Sequence, residues 1–222
     1  MAYGEKMINA PGWLSSRGHG EPARIIIEHL YSTVPEYGVV LELGSMFGAI
    51  TETISKHIKP SCHIYTIDTW GPVPISELLK LRKHLSKDHK KIMDDIIETG
   101  VYDNNKHYLP ADRFYDWWKY FTKDLKNVTH FREDVVKIDK NKIPEVDLIV
   151  QDAQHFYGGV LAELEYWWPK LKPGGTLIMD DYNWREFPGL VQAAEEFFSR
   201  NKYETKVPTS SQLLIVKKGK NK

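Results

Sequence analysis

The sequence predicts an α/β fold: one domain built on a mainly parallel sheet, with helices on both faces. Three observations carry this prediction. Val39-Val40-Leu41-Glu42-Leu43 is a buried-strand pattern that runs into a glycine turn, Gly44-Ser45-Met46-Phe47-Gly48, and then into a helix start at Ala49-Ile50-Thr51. Ile64-Tyr65-Thr66-Ile67-Asp68 is a second apolar strand ending in an acid. Asp147-Leu148-Ile149-Val150-Gln151-Asp152 is a third. Strands alternating with helices imply parallel pairing, because each crossover helix returns the chain to the same end of the sheet.

The elements follow in order. Residues 1–20 are rich in Gly, Ser and Pro and read as an arm. A helix over Glu21–Tyr31 begins near Pro22, whose missing N–H is tolerated in a first helical turn. Residues 1–35 thus form an N-terminal arm and helix. Val39–Leu43 is the first strand, and the helix after Phe47 ends near Ile58, ahead of Pro60. His63–Ile67 is the second strand. Residues 71–125 separate it from Val128–Phe131 by far more chain than one crossover needs. Within them, Ile75–Ile97 reads as helix, Gly100–Pro110 as polar and turn-like, and Asp112–Leu125 as helix again. Phe114, Trp117, Trp118, Phe121 and Leu125 fall at helix spacing there. The stretch is a helical insertion that acts as a lid or substrate wall, or else as added core or a subunit interface supporting a homodimer.

The second half resumes the alternation. Val146–Gln151 is a strand, Tyr157–Leu171 a helix, Lys172-Pro173-Gly174-Gly175 a tight turn, and Thr176–Met179 a strand. Gly189–Arg200 is a helix. Tyr203–Val207 and Leu213–Lys217 form a closing hairpin across Pro208–Ser211. The total is seven strands, mainly parallel, with an antiparallel C-terminal hairpin.

Bulk composition narrows the function. A chain of 222 residues suits one substantial core and is short for two, so residues 1–222 read as a single domain. Lys+Arg and Asp+Glu both number 30, and this balance argues against a general nucleic-acid footprint. The lone cysteine, Cys62, cannot form an internal disulfide and reads as an inert packed thiol. No apolar run approaches the roughly 18 residues of a spanning helix, and the N-terminus lacks signal-peptide features. The expectation is a cytoplasmic protein with neither a membrane nor a nucleic-acid partner.

The glycine turn defines a candidate site. Glycine lets a ligand approach the backbone, and the following helix offers unpaired N–H groups. An acid about twenty residues later, Asp68, is placed to bind a ribose diol. Together these features point to a nucleoside cofactor.

Glu42-Leu-Gly44-Ser-Met-Phe-Gly48, Lys172-Pro-Gly-Gly175 and the segment Asp147 to Tyr182 resemble the class I S-adenosylmethionine-dependent methyltransferases, which have a Rossmann-like fold. The resemblance covers roughly residues 38–217. Within it, Asp152-x-x-His155-x-Tyr157, Trp167-Trp168-Pro169 and Leu177-Ile178-Met179-Asp180-Asp181-Tyr182 look like the subgroup of macrolide-sugar O-methyltransferases and cephalosporin hydroxylase-like proteins. The resemblance implies that Gly44, Ser45 and Gly48 line the methionine moiety. It implies that Glu42 holds the ammonium directly or through water, Asp68 the ribose, and Asp134 the adenine amino group, with Asp152 bordering the cofactor. Trp70 packs either on the cofactor or in ordinary core.

Asp152, Asp180 and Asp181 fall at the ends of two strands that this fold makes neighbours. Clustered carboxylates repel one another, and a divalent cation relieves the repulsion. An all-oxygen set favours Mg²⁺, or Mn²⁺ or Ca²⁺, over zinc. Adjacent strand residues face opposite ways, so Asp180 and Asp181 can both be ligands only if the chain turns at once. Otherwise one of them is a capping or solvated acid. An imidazole titrates close to neutrality, so His155 suits the role of general base, with Asp152 beside it, or else is structural or a ligand. His19 is a second histidine candidate. The implied reaction is methyl transfer to a hydroxyl of a small molecule or sugar.

The sequence departs from the subgroup where Asp152-Ala153-Gln154-His155 replaces a segment closer to Asp-Gly-Asp-His. Two other readings stay open: a methyltransferase fold serving as scaffold, and a nicotinamide-dependent oxidoreductase. The latter would want a Gly-x-Gly-x-x-Gly turn, which is absent.

Overall fold

The computed structural model describes residues 20–46, 48–71, 73–74, 108–109, 115–116, 118–119, 122–210 and 212–219. Helix α1 (Gly20–Thr33) precedes strand β1 (Val39–Leu43), helix α2 (Ala49–His57) and strand β2 (His63–Ile67). Two short strands, β3 (Val73–Pro74) and β4 (Tyr108–Leu109), pair antiparallel with each other. Then come β5 (Val128–Phe131), β6 (Val146–Gln151), α3 (Tyr157–Trp167), β7 (Leu171–Met179), α4 (Pro188–Arg200), β8 (Tyr203–Pro208) and β9 (Leu214–Lys218).

The main sheet has seven strands in the order β5-β2-β1-β6-β7-β9-β8. The first five are parallel, and β9 runs antiparallel to both β7 and β8. Strand order reverses between β1 and β6, and such a crevice at the carboxyl ends is where open α/β sheets bind ligands.

Side-chain alternation splits the core in two. Leu41, Leu43, Ile149, Leu177 and Met179 pack with Val160, Leu164 and Trp167 of α3 and with Leu190, Ala194 and Phe197 of α4. Val40, Ile64, Leu148, Val150 and Ile178 pack with Ile26 and Leu30 of α1 and with Ile50 and Ile54 of α2. Strands covered on both faces read as continuous apolar runs, as Val146–Gln151 does.

Two expectations are corrected. Lys172-Pro173-Gly174-Gly175 is not a free turn but part of β7, which starts at Leu171. Its turn chemistry is absorbed in a bulge: Gly174 has φ 82, and pairing with β6 shifts between Val146 and Leu148. Asp147 anchors this end of the sheet by accepting from Lys172 Nζ and from the Val39 N–H, both at 2.8 Å. The helix expected to run to Leu171 stops at Trp167 and tightens into a 3₁₀ turn, Trp168–Lys170. Pro169 has no N–H with which to continue the ladder.

The arm before residue 20 and the helix expected over 75–97 lie outside the described residues. Of the second helix of the insertion, residues 115–116, 118–119 and 122 are helical. Among the described residues no helix is long and apolar enough to cross a membrane.

Candidate functional site

The glycine turn is held from below and from the side. Gly44, Met46 and Gly48 all have positive φ (82, 43 and 86), so the chain doubles back between β1 and α2. Asp68, the first residue past β2, stabilises this shape. Its Oδ2 accepts the N–H groups of Ser45 (2.9 Å) and Met46 (2.8 Å), and its Oδ1 accepts that of Trp70 (2.7 Å). Burial raises the pKa of Asp68, against the pull of those three N–H groups. Three of the roughly four hydrogen bonds a carboxylate can accept are thus made within the chain.

Glu42 on β1 is fully buried. Its Oε2 accepts from Ser45 Oγ at 3.2 Å and from Thr51 Oγ1. Its Oε1 is buried without a partner. Burial pushes its pKa up to about 7, although hydroxyl bonds from Thr51, Thr66 and Ser45 oppose the rise. A buried carboxylate with an unused oxygen fits a cationic ligand group.

The acids gather one strand away. The Asp152 N–H donates to Leu43 O at 2.8 Å, and the Asp180 N–H to Gln151 O at 2.9 Å, so the ends of β1, β6 and β7 are laced together. A Cβ on Gly44 would collide with the main-chain oxygen of Asp152. The glycine turn and the acidic loop are therefore in direct contact. Asp181 has φ 57, so the chain turns immediately after the strand. One ligand atom from each of Asp152, His155 and Asp181 lies within 4.8 Å of the others. Asp180 is not in this group; its Oδ1 accepts the Asp181 N–H at 2.8 Å.

His155 sits between the two carboxylates, its Nε2 3.4 Å from Asp152 Oδ1 and 3.3 Å from Asp181 Oδ2. These are ion-pair contacts rather than aligned hydrogen bonds. Burial alone would lower its pKa, but the adjoining Asp152 and Asp181 carboxylates outweigh it and push it up to about 10. The imidazole stacks on Phe187 with ring centres 4.4 Å apart, and Trp184 meets Phe187 edge-on at 5.1 Å. Two carboxylates and one imidazole fit a divalent cation, which would compete with an imidazolium for the same carboxylates.

Behind this cluster Gln151 Nε2 donates to Gln154 O and to Glu163 Oε2, both at 2.9 Å. Burial pushes the pKa of Glu163 up to about 8. On the other side, Trp70 packs against Tyr115 and Trp118 with ring centres 4.9 and 5.1 Å apart. It donates from Nε1 to Met46 O at 2.7 Å. Asp134 lies after β5, its Oδ1 accepting the Val136 N–H at 3.0 Å and its Oδ2 pairing with Lys137 at 3.0 Å.

The structure therefore brings Glu42, Gly44, Ser45, Gly48 and Asp68 into one turn, and Asp152, His155 and Asp181 into one cluster beside it. His19 lies outside the described residues. Sequence reasoning missed Thr51 and Thr66, the buried hydroxyls on Glu42, and the Gln151–Glu163 pair behind the acids. Helix spacing from Gly48 could have found Thr51. Nothing local marks Thr66 or Glu163, whose roles arise only when β2 and α3 pack.

A family profile described as "Methyltransferase domain" matches residues 41–182. No curated protein matches the sequence. Solved structures share the fold. The O-methyltransferase NovP is 15% identical, with 93% of this chain and 81% of that one covered and a TM-score of 0.57. A TDP-rhamnose 3'-O-methyltransferase of calicheamicin biosynthesis is 15% identical, with 87% and 77% covered and a TM-score of 0.53. An rRNA methylase from Streptococcus thermophilus is 11% identical, with 90% and 98% covered and a TM-score of 0.51.

Proposed function

The chain belongs to the methyltransferase domain family and is an S-adenosylmethionine-dependent methyltransferase, and on that premise we propose that it methylates a hydroxyl of a small molecule with help from a divalent cation. The observation that carries this reading is the cluster of Asp152, His155 and Asp181 pressed against the glycine turn. A site for nucleophile activation thus lies beside the site for the methyl donor. The O-methyltransferases among the structural neighbours support the choice of oxygen as acceptor.

S-adenosylmethionine supplies an electrophilic methyl group on sulfonium sulfur. Glu42 holds its ammonium through the unused Oε1, and the turn of Gly44, Ser45 and Gly48 gives room for close backbone approach. Asp68 shapes that turn and keeps capacity for a ribose hydroxyl. Asp152 and Asp181 would hold the cation, Mg²⁺ or Mn²⁺, which lowers the pKa of a hydroxyl it binds. His155, held protonated by these two carboxylates, would become neutral once a cation took them over, and could then take the acceptor's proton; such base catalysis contributes about 10²–10⁴-fold. Phe187 and Trp184 wall the cluster and offer an apolar face to a flat or sugar-like acceptor. A small-molecule acceptor and a cytoplasmic setting remain part of this reading, as does a second copy of the chain across the insertion.

Calorimetric titration with S-adenosylhomocysteine, with and without Mg²⁺, tests the cofactor. Incubating the enzyme with S-adenosylmethionine and a panel of phenols, catechols and sugar nucleotides, read by mass spectrometry, tests the acceptor. Methylation of nitrogen nucleophiles alone would overturn the oxygen assignment.

A further inference from the structure

The glycine turn carries a second buried polar atom without a partner. Trp118, from the insertion, is 4% exposed, and its indole Nε1 makes no hydrogen bond. A buried N–H left unpaired carries its desolvation penalty with no compensating bond, so a native structure needs a reason for it. The ring lies over the turn. A Cβ built on Gly48 would be 3.3 Å from Trp118 Cδ1, 3.5 Å from its Nε1 and 2.8 Å from Thr122 Cγ2. Trp118 is locked in place by Trp70 at 5.1 Å and by His130 at 4.5 Å, and Trp70 is in turn tied to Met46. The donor is therefore rigid and directed by its packing rather than free to find solvent.

On the strand side of the same turn, Glu42 Oε1 is an acceptor in the same condition. One unpaired buried acceptor and one unpaired buried donor flank residues 44–51. That pair is complementary to an amino-acid head group: an ammonium for the carboxylate, and a carboxylate for the indole N–H.

We propose that Trp118 Nε1 donates to the α-carboxylate of the cofactor's methionine moiety, so that the insertion itself completes the cofactor site. This rests on the S-adenosylmethionine reading above.

The test pairs Trp118→Phe, which keeps a ring and removes the donor, with two ligands. These are S-adenosylhomocysteine and its decarboxylated analogue, titrated by calorimetry against the full chain. The wild-type protein should bind the decarboxylated analogue about 10- to 100-fold more weakly, as befits a lost charge-assisted hydrogen bond. Trp118→Phe should weaken S-adenosylhomocysteine by a similar factor and leave the analogue's affinity unchanged. Equal weakening of both ligands would show that Trp118 only packs, and an unaffected variant would also overturn the proposal. Should Trp118→Phe not fold, the two ligands on the wild-type chain still decide, because equal affinities would exclude a buried donor for the carboxylate. Failure of folded wild-type protein to bind either ligand would instead overturn the cofactor reading itself.

Discussion

Gly44 and Asp152 meet through their main chains: a Cβ on Gly44 would strike the carbonyl oxygen of Asp152 and come within 2.6 Å of the Ala153 Cα. The contact joins the glycine turn to the acidic loop across the point where strand order reverses. Gly44 also has φ 82, which a side chain disfavours by roughly 1–2 kcal/mol. Gly44→Ala should therefore cost more than about 2 kcal/mol of stability, since collision with backbone adds to the strain. It should also displace Asp152 and abolish methyl transfer. Urea denaturation and a turnover assay check both, and a variant of wild-type stability would mean that the two loops separate easily.

Asp152 and Asp181 should prove unequal to Asp180. The first two bring an oxygen into the cluster with His155, while the Asp180 carboxylate accepts the Asp181 N–H. Asp152→Asn and Asp181→Asn should each weaken Mn²⁺ or Mg²⁺ binding by more than about 100-fold, beyond the cost of losing a merely supporting residue. Asp180→Asn keeps an oxygen for the Asp181 N–H and should weaken the metal by tenfold or less. Calorimetry with each metal measures the order, and chelation should remove activity from the wild type and from Asp180→Asn, the two forms that hold the metal. Identical losses in all three variants would place Asp180 among the ligands.

Much of this was legible in the sequence because it is local. The glycine turn, the acids at the strand ends and the seven strands each announce themselves within a few residues, through apolar runs that stop at Gly or Asp. What was not legible depends on packing between distant segments. Lys172-Pro173-Gly174-Gly175 has turn composition and bulges out between the β6 pairings Val146–Leu171 and Leu148–Thr176, yet it lies within β7, with Asp147 O 2.8 Å from where a Gly175 Cβ would be. Sequence alone leaves open which of Asp180 and Asp181 joins the cluster, and the structure shows the chain turning at Asp181, which meets His155. Trp118 reads as one aromatic among several on a helix face, and its unpaired N–H appears only when that helix reaches Gly48.

Asp68 shapes the glycine turn whatever ligand the turn receives. It ties Ser45, Met46 and Trp70 together through three N–H bonds, two of them on Oδ2. Asn offers one acceptor oxygen where the carboxylate offers two. Asp68→Asn should thus lose at least one of these bonds, destabilise the fold by about 1–3 kcal/mol and weaken S-adenosylhomocysteine. Thermal melting with and without ligand separates the two effects. Loss of affinity with unchanged apo stability would confine Asp68 to ligand contact.

Glu163 sets a pH dependence of stability. It is buried on α3, bonded by Gln151 Nε2, and faces the charges of Asp152 and His155 across the Gln151–Gln154 loop. Burial lifts its pKa from 4.5 to about 8, so the folded state keeps the proton that the unfolded chain releases. A raised carboxyl pKa gives full stability below pH about 4.5, lost progressively as pH climbs to about 8. By linkage the loss is at most about 5 kcal/mol. Glu42, pushed up to about 7, acts in the same direction. Glu163→Gln keeps the bond to Gln151 and carries no charge. It should match the wild type near pH 4.5 and exceed it by several kcal/mol at pH 8, with a shallower slope between, the residue of that slope coming from Glu42, Asp68 and, above pH about 6.5, His155. Urea midpoints at half-unit steps of pH measure the difference curve. Parallel curves would mean that water or a partner already stabilises the ionised Glu163, and that the Gln151–Glu163 pair behind the acids is not dry.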